Sequence, residues 1–240
     1  MKSLKITSTL LLVLLGLFAT GCATMEAETH DTSADATNPL VSEGPFNITV
    51  PASHTKLIDL YSAGDSQFAG FYNTFELKAT LLNSDVREAL VKRQGAYYQW
   101  DAAQLATERE KTIQEASAET QFFLSFATPE RRNDNLADKK TIWRIFLDVG
   151  GRRYVGQAKK DRRLIAEIQA QLPYHTRWNT PYILTFPVGT TAIETQSMKL
   201  TLTGPLGTRV LEFKPVTAAA AKIPDDQTPS LTPSSEPIAP

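Results

Sequence analysis

The sequence predicts a mainly β protein whose antiparallel strands form two packed layers. Three observations predict it. Apolar residues alternate with period two in several separate runs. Glycine- and proline-containing turns separate those runs. Helix and strand patterns do not alternate regularly, as they would around a parallel sheet.

Residues 71–82 form the longest run. Phe71, Phe75, Leu77, Ala79 and Leu81 fall on one face, and Tyr72, Thr74, Glu76, Lys78 and Thr80 on the other. Such alternation suits a half-buried strand. Phe122, Leu124 and Phe126 share a face in the next run, and Trp143, Ile145, Leu147 and Val149 in another. Tyr182, Leu184, Phe186 and Val188 follow, then Met198, Leu200 and Leu202, and a last strand over 208–213. Gly150-Gly151 suits a tight hairpin turn, because glycine accepts the positive φ that such a turn needs. Gly204 to Gly207 joins the last two strands, and residues 50–55, with Pro51, are expected to be a connection.

Two stretches break the β pattern. Residues 84–118 read as a helical hairpin or one broken helix, with Asp85 and Glu88 resembling a capping pair. Val86, Ala89, Leu90 and Tyr97 lie on one helical face, and Gly95 weakens the middle. The half beyond Asp101 has little apolar stripe and is expected to be solvated. The second stretch, residues 161–172, places Leu164, Ile165, Ile168 and Leu172 on one side and stops at Pro173. Seven to nine strands with these helices predict an immunoglobulin-like antiparallel β-sandwich with a helical insertion and one short extra helix. The alternative is an α+β fold with helices on one face of an antiparallel sheet.

At the N-terminus Lys2 and Lys5 precede an unbroken apolar run over residues 10–18, which is too short to span a bilayer core of ~30 Å. It closes on Ala19-Thr20-Gly21-Cys22, which contains the only cysteine of the 240 residues. Basic start, apolar run and small residues are the order of a secretory signal. Residues 1–22 resemble the signal peptide and lipobox of bacterial lipoproteins. Ala19 stands where leucine is usual. The resemblance implies diacylglycerol on Cys22, cleavage before it, and acylation of the new amine. With Ala23 and no aspartate after Cys22, it also implies the outer membrane. The domain layout expected is a signal peptide over 1–21, a disordered tether over 22–45, one β-rich domain over 46–214 with its helical insert at 84–118, and a proline-rich tail over 215–240.

Without Lys2 and Lys5 the chain carries 23 basic and 26 acidic groups, a formal charge of −3. A near-neutral chain is no general polyanion binder, and no nucleic acid is expected as partner. A single cysteine excludes an intramolecular disulfide and a cysteine-based metal site. No GxSxG, HExxH, GxGxxG or P-loop spacing occurs. His54 and His175 are read as structural or surface residues, and Glu108, Glu110, Glu115 and Glu119 as a solvated helix face. Asp134, Asn135 and Asp138 lack calcium-loop spacing, and no cofactor or metal is expected.

Two anomalies mark a candidate binding surface. Between residues 130 and 163 eleven basic residues face five acids, a net charge of +6. Of these, Arg131, Arg132, Lys139, Lys140, Arg152, Arg153, Lys159 and Lys160 are the candidate basic rim, if hairpins bring them to one end. Tyr97, Tyr98 and Trp100 are flat aromatics able to stack on a sugar, anchor a partner, or clamp a helix. Trp143 is expected in the core, and Trp178, in the polar loop HTRWNT, is open between packing and service as an exposed anchor. The function expected is a non-enzymatic binding or scaffolding module. It is held to the bilayer through acylated Cys22 and faces an envelope protein or an anionic glycan or lipid. The alternatives are an envelope hydrolase acting on glycan or peptide, and an accessory subunit docking through the helical insert.

Overall fold

The computed structural model describes residues 50–216. The signal peptide with Cys22, most of the tether and most of the proline-rich tail lie outside the described residues. The elements run α1 (Ala52–Leu60), β1 (Ser62–Ala69), β2 (Tyr72–Leu81), α2 (Ser84–Tyr98), α3 (Ala102–Ala118), β3 (Thr120–Ala127), β4 (Arg144–Val149), β5 (Arg152–Val155), β6 (Gln157–Lys160), α4 (Ile165–Gln171), β7 (Thr180–Phe186), β8 (Met198–Gly204) and β9 (Gly207–Phe213).

All strand pairs are antiparallel. One sheet has the order β1-β2-β3-β7-β6 and the other β5-β4-β8-β9. The inward side chains predicted from alternation meet between them. Phe75, Leu77, Phe122, Leu124, Phe126, Tyr182, Leu184 and Phe186 of the larger sheet pack against Ile145, Leu147, Val149, Met198, Leu200 and Leu202 of the smaller. Trp143 lies in this core, edge-on to Phe75 and Phe126, and its indole N–H donates to Asn133 O at 2.7 Å. A buried indole needs such a partner.

The two sheets share one stretch of chain. Residues 152–155 pair with β4 in one sheet, and residues 157–160 pair with β7 in the other. The change of sheet falls at Gly156, whose N–H donates to Ile145 O at 2.8 Å. A Cβ at this position would lie 2.5 Å from Cε1 of Phe186 and 3.0 Å from Cγ2 of Ile145. Only glycine lets the chain pass so close to a buried ring. At the opposite edge Arg209 of β9 donates to Ser66 O of β1 at 3.1 and 3.0 Å and pairs with Asp65 at 3.0 Å.

The larger sheet is covered on its outer face as well. Ile58 of α1, Val86 of α2, and Ile168 and Leu172 at α4 pack over Phe123 of β3, with Ile183 of β7 beside them. β3 is therefore buried on both faces, which its sequence TQFFLSFA supports with adjacent phenylalanines. The α+β alternative thus describes this outer layer, and the two-sheet body describes the rest. α3 buries only Ala116, as its weak apolar stripe predicts.

Several expectations need correction. Residues 50–55 are not a plain connection: Pro51 precedes α1, and Thr55 N–H donates to Pro51 O at 3.1 Å. Proline at a helix start loses no bond that the helix could make there. Phe71 does not face the core; it sits in the two-residue turn between β1 and β2 and is fully exposed. The alternation continues in the sequence past the point where the strand stops. Asp85 and Glu88 do not cap α2. Asn83 does, accepting from Val86 N–H at 3.1 Å, while Asp85 accepts from the Tyr61 hydroxyl at 2.5 Å. The packed body also continues past the expected boundary at 214, because Val216 packs against the helical layer. The hairpin turn at Gly150-Gly151 is present, with φ of 55° and 75°.

Buried polar groups brace the helical layer. Arg87 is 6% exposed; its Nε donates to Leu82 O at 2.7 Å, and its guanidinium reaches Gln121 at 3.0 Å and Glu115 at 3.4 Å. His54 donates to Gln171 O at 2.7 Å. His175 is 1% exposed and shares a 2.8 Å hydrogen bond with the Ser125 hydroxyl. Burial lowers its pKa to about 4, with Asp161 opposing the shift and Arg163 adding to it.

Two predictions follow from these contacts. Gly156→Ala is expected to destabilise the protein by about 2 kcal/mol, since the added methyl must displace Phe186; urea unfolding measures this. The second concerns pH. The unfolded chain takes up a proton at His175 near pH 6.5, while the folded chain resists uptake until about pH 4. Stability is therefore intact above pH 6.5 and declines as pH falls toward 4, by on the order of 3 kcal/mol in total. A His175→Gln variant is expected to lose most of that slope in unfolding measured from pH 7.5 to 4.5.

Candidate binding surface

The structure separates the predicted basic rim. Lys139 and Lys140 lie in the loop before β4, and Arg152 and Arg153 at the start of β5, after the turn at its far end. Six residues of strand, roughly 20 Å, stand between the two ends of β4. Arg153 is bound to Asp148 at 2.7 and 2.8 Å and lies over the Phe146 ring. Lys159 and Lys160 are exposed on β6, the edge strand of the larger sheet. Arg132 pairs with Glu130. Among the described residues Arg131, Lys139 and Lys140 make no ion pair. Alternation along a hairpin cannot say which end a loop cation occupies, so the sequence pooled residues that the register keeps apart.

The aromatic trio of the helical insert serves mainly to hold α2 on α4. Tyr97 and Tyr98 meet edge-on at 4.7 Å, and Tyr98 stacks on Trp100 at 6.0 Å. The Tyr98 hydroxyl donates to Glu167 at 2.5 Å, and the Gln171 amide donates to the Tyr97 hydroxyl at 2.9 Å. A second link is the Arg93 guanidinium on Ala170 O. These rings keep some exposure, but the two tyrosine hydroxyls are engaged within the helical layer.

The bare aromatics lie elsewhere. β1 and β2 form a hairpin whose turn is Gly70-Phe71. Its tip carries Phe68, 53% exposed, Phe71, 102%, and Tyr72, 80%. Its root is fixed on three sides. The Thr74 hydroxyl donates to Gln67 O at 3.0 Å, the Thr128 hydroxyl donates to Thr74 O at 3.1 Å, and Arg209 grips Ser66 from β9. The tip thus projects as a finger from a braced base. Nearby, Asn179 donates to Glu76 at 3.4 Å and so ties the Trp178 loop to β2. Trp178 is 64% exposed, with the Arg177 guanidinium over its ring. The loop from Thr128 to Ile142 also begins at the finger root. Its Asp134 is held by the Thr180 and Tyr182 hydroxyls, and Asn135 by Thr141. Arg131, Lys139, Lys140, Phe68, Phe71, Tyr72 and Trp178 therefore all belong to elements at one end of the body. The sequence holds the signal for the finger, in the pattern Phe-Ala-Gly-Phe-Tyr around one glycine, but strand alternation masks it.

Groups that could act in catalysis are dispersed. Glu108 pairs with Lys111, Glu110 binds Gln114, Glu115 pairs with Arg87 and Glu119 binds Gln121. The Ser125–His175 pair is shut inside the sheet-helix layer. Among the described residues no group of three metal-ligating side chains converges. A cleft of about 410 Å³ opens beside Tyr61, Leu81, Met198 and Phe213. Its two acids are engaged, Glu194 by Ser84 and Glu212 by Lys199 at 2.8 Å.

No protein-family model and no curated protein sequence matches the chain. Among solved structures it is similar to a protein of unknown function from Burkholderia pseudomallei. The likeness covers 70% of this chain and 88% of that one at 14% identity, with a TM-score of 0.40.

If the finger belongs to function rather than to folding, its removal should leave stability intact. Phe71→Ala is expected to change unfolding free energy by less than about 0.5 kcal/mol. Phe75→Ala, two periods of alternation further along and fully buried, is expected to cost about 3 to 5 kcal/mol. Paired thermal and urea melts compare them.

Proposed function

We propose that the protein is a bacterial envelope lipoprotein that acts as a non-enzymatic binding module. Acylated Cys22 would hold it to the outer membrane on the periplasmic side. Three acyl chains exceed the two-signal requirement for stable anchoring. The placement is supported by the lone cysteine closing an apolar run behind two lysines.

The observation that carries the binding half is the aromatic finger beside uncompensated cations. Large aromatic side chains that the core does not use stand bare at one end, on a braced root. In this reading the two-sheet body serves as an immunoglobulin-like frame, rigid in itself, that presents loops at its end. The trio Tyr97, Tyr98 and Trp100 secures the helical layer, and the partner is an envelope protein or an anionic glycan or lipid. A hydrolase would need two carboxylates facing one cleft with opposed pKa values.

Mass spectrometry of the protein from its native host tests the anchoring. The N-terminal peptide is expected to begin at Cys22 and to carry the added mass of three acyl chains. Cys22→Ala is expected to move the protein from the membrane pellet to the soluble fraction. A bare thiol at Cys22, or a different start site, would overturn the placement.

A further inference from the structure

We infer that the hairpin tip Phe68–Tyr72 seats in the interfacial region of an anionic bilayer and sets how the domain faces the membrane. This rests on the reading of that end as a binding surface and names its partner.

Shape favours a bilayer over the other candidates. The tip is convex, a two-residue turn with an exposed ring on and beside it. A sugar ring stacks on a flat or concave platform, and the finger offers neither. A stable protein interface buries about 800 Å² on each side, whereas three aromatics exposed to this degree present roughly 450 Å². A soft medium needs no complementary surface and accepts a small convex wedge. Phe68 and Phe71 suit the acyl boundary, and the Tyr72 ring has the amphipathic character of aromatics found at membrane interfaces.

Charge agrees with shape. Segments 128–144 and 176–179, which begin or end at the finger root, carry Arg131, Arg132, Lys139, Lys140, Arg144 and Arg177. Against them stand Glu130, Asp134 and Asp138, leaving a net +3. Arg131, Lys139 and Lys140 are exposed and make no ion pair among the described residues, so their charge is available to lipid phosphates. Each such cation near an anionic surface raises binding about fivefold.

Chain length agrees too. Twenty-seven residues separate Cys22 from Val50 and reach at most about 95 Å when extended. The folded body is roughly 40 Å across. An anchor on such a connection does not choose which face meets the bilayer. It only holds the body near the lipid, where even weak insertion is amplified by effective concentration. The finger supplies the choice.

The test uses the secreted chain from residue 22 onward carrying Cys22→Ser, so that no acyl chain contributes. Vesicles are phosphatidylethanolamine and phosphatidylglycerol at roughly 3:1, with pure phosphatidylcholine as control. Co-sedimentation is expected with the anionic vesicles, weakening several-fold as salt rises from about 0.05 to about 0.5 M. Phe71→Ala with Tyr72→Ala is expected to lower partitioning at least tenfold at unchanged melting temperature. Lys139→Glu with Lys140→Glu is expected to lower it at least tenfold and to flatten the salt dependence. Phe71→Trp is expected to gain emission that brominated lipid quenches. No vesicle binding by the parent chain, or binding indifferent to the tip variants, overturns the inference. A photocrosslinker at position 71 that captures an envelope protein in cells, with vesicles unbound, overturns it in favour of a protein partner and leaves the binding-module reading standing. A bare Cys22 in the native protein would instead remove the anchor without touching the vesicle result.

Discussion

The fold depends on the point, at Gly156, where one strand runs straight from one sheet into the other. One continuous strand leaves one sheet and enters the other there, so the two layers are joined covalently along one edge rather than merely stacked. The crossing requires the backbone to lie against the Phe186 ring, and a side chain would occupy the same space. Phe186 in turn meets Phe122 edge-on at 5.8 Å, and Phe122 meets Phe213 at 5.1 Å. The junction is thus continuous with the middle of the core. Interiors packed to crystal-like density have little capacity to absorb a displaced ring, so the consequences of a shift spread. The far edge is held differently, by the Arg209 side chain on β1.

The helical layer builds on the same sheet from outside. β3 is its foundation, with Phe122, Leu124 and Phe126 facing the inter-sheet core and Phe123 and Ser125 facing the helices. Because water is excluded on both sides, polar groups in the outer layer bond within it: Gln169 Nε2 donates to His175 O at 3.0 Å, while Gln169 Oε1 is left unpaired. Arg87, His54 and His175 each bridge elements distant in sequence. Burying a polar group without such a bond costs a few kcal/mol, so these contacts specify how the helices sit as much as they stabilise them. The Tyr97-Tyr98-Trp100 cluster closes the α2–α4 contact in the same way.

What the core and the helical layer do not use is informative by contrast. A folded body tolerates scattered exposed apolar residues, and the cluster at this loop end is what the proposed binding role rests on. The finger has a root tied down by Thr74, Thr128 and Arg209 and a tip whose three rings stand exposed. That division, order at the base and solvent at the end, fits an element whose contacts lie beyond its own chain.

Local chemistry alone determined much of this protein. Period-two alternation identified the inward faces of β2, β3, β4, β7 and β8, and glycine pairs and glycine-proline turns located two of the hairpins, because pleat and turn geometry act over a few residues. The helical insert and its solvated half were legible for the same reason. The polar edge strand β1 was not, since SAGDSQFA has no apolar face to reveal it, and α1 was hidden behind Pro51. Only tertiary structure decided which loops share an end. It parted Arg152 and Arg153 from Lys139 and Lys140, placed Phe71 in solvent instead of the core, and gathered the finger, Trp178 and the basic loop together. Those outcomes follow from strand register and from where each strand stops, which are set by contacts between residues far apart along the chain.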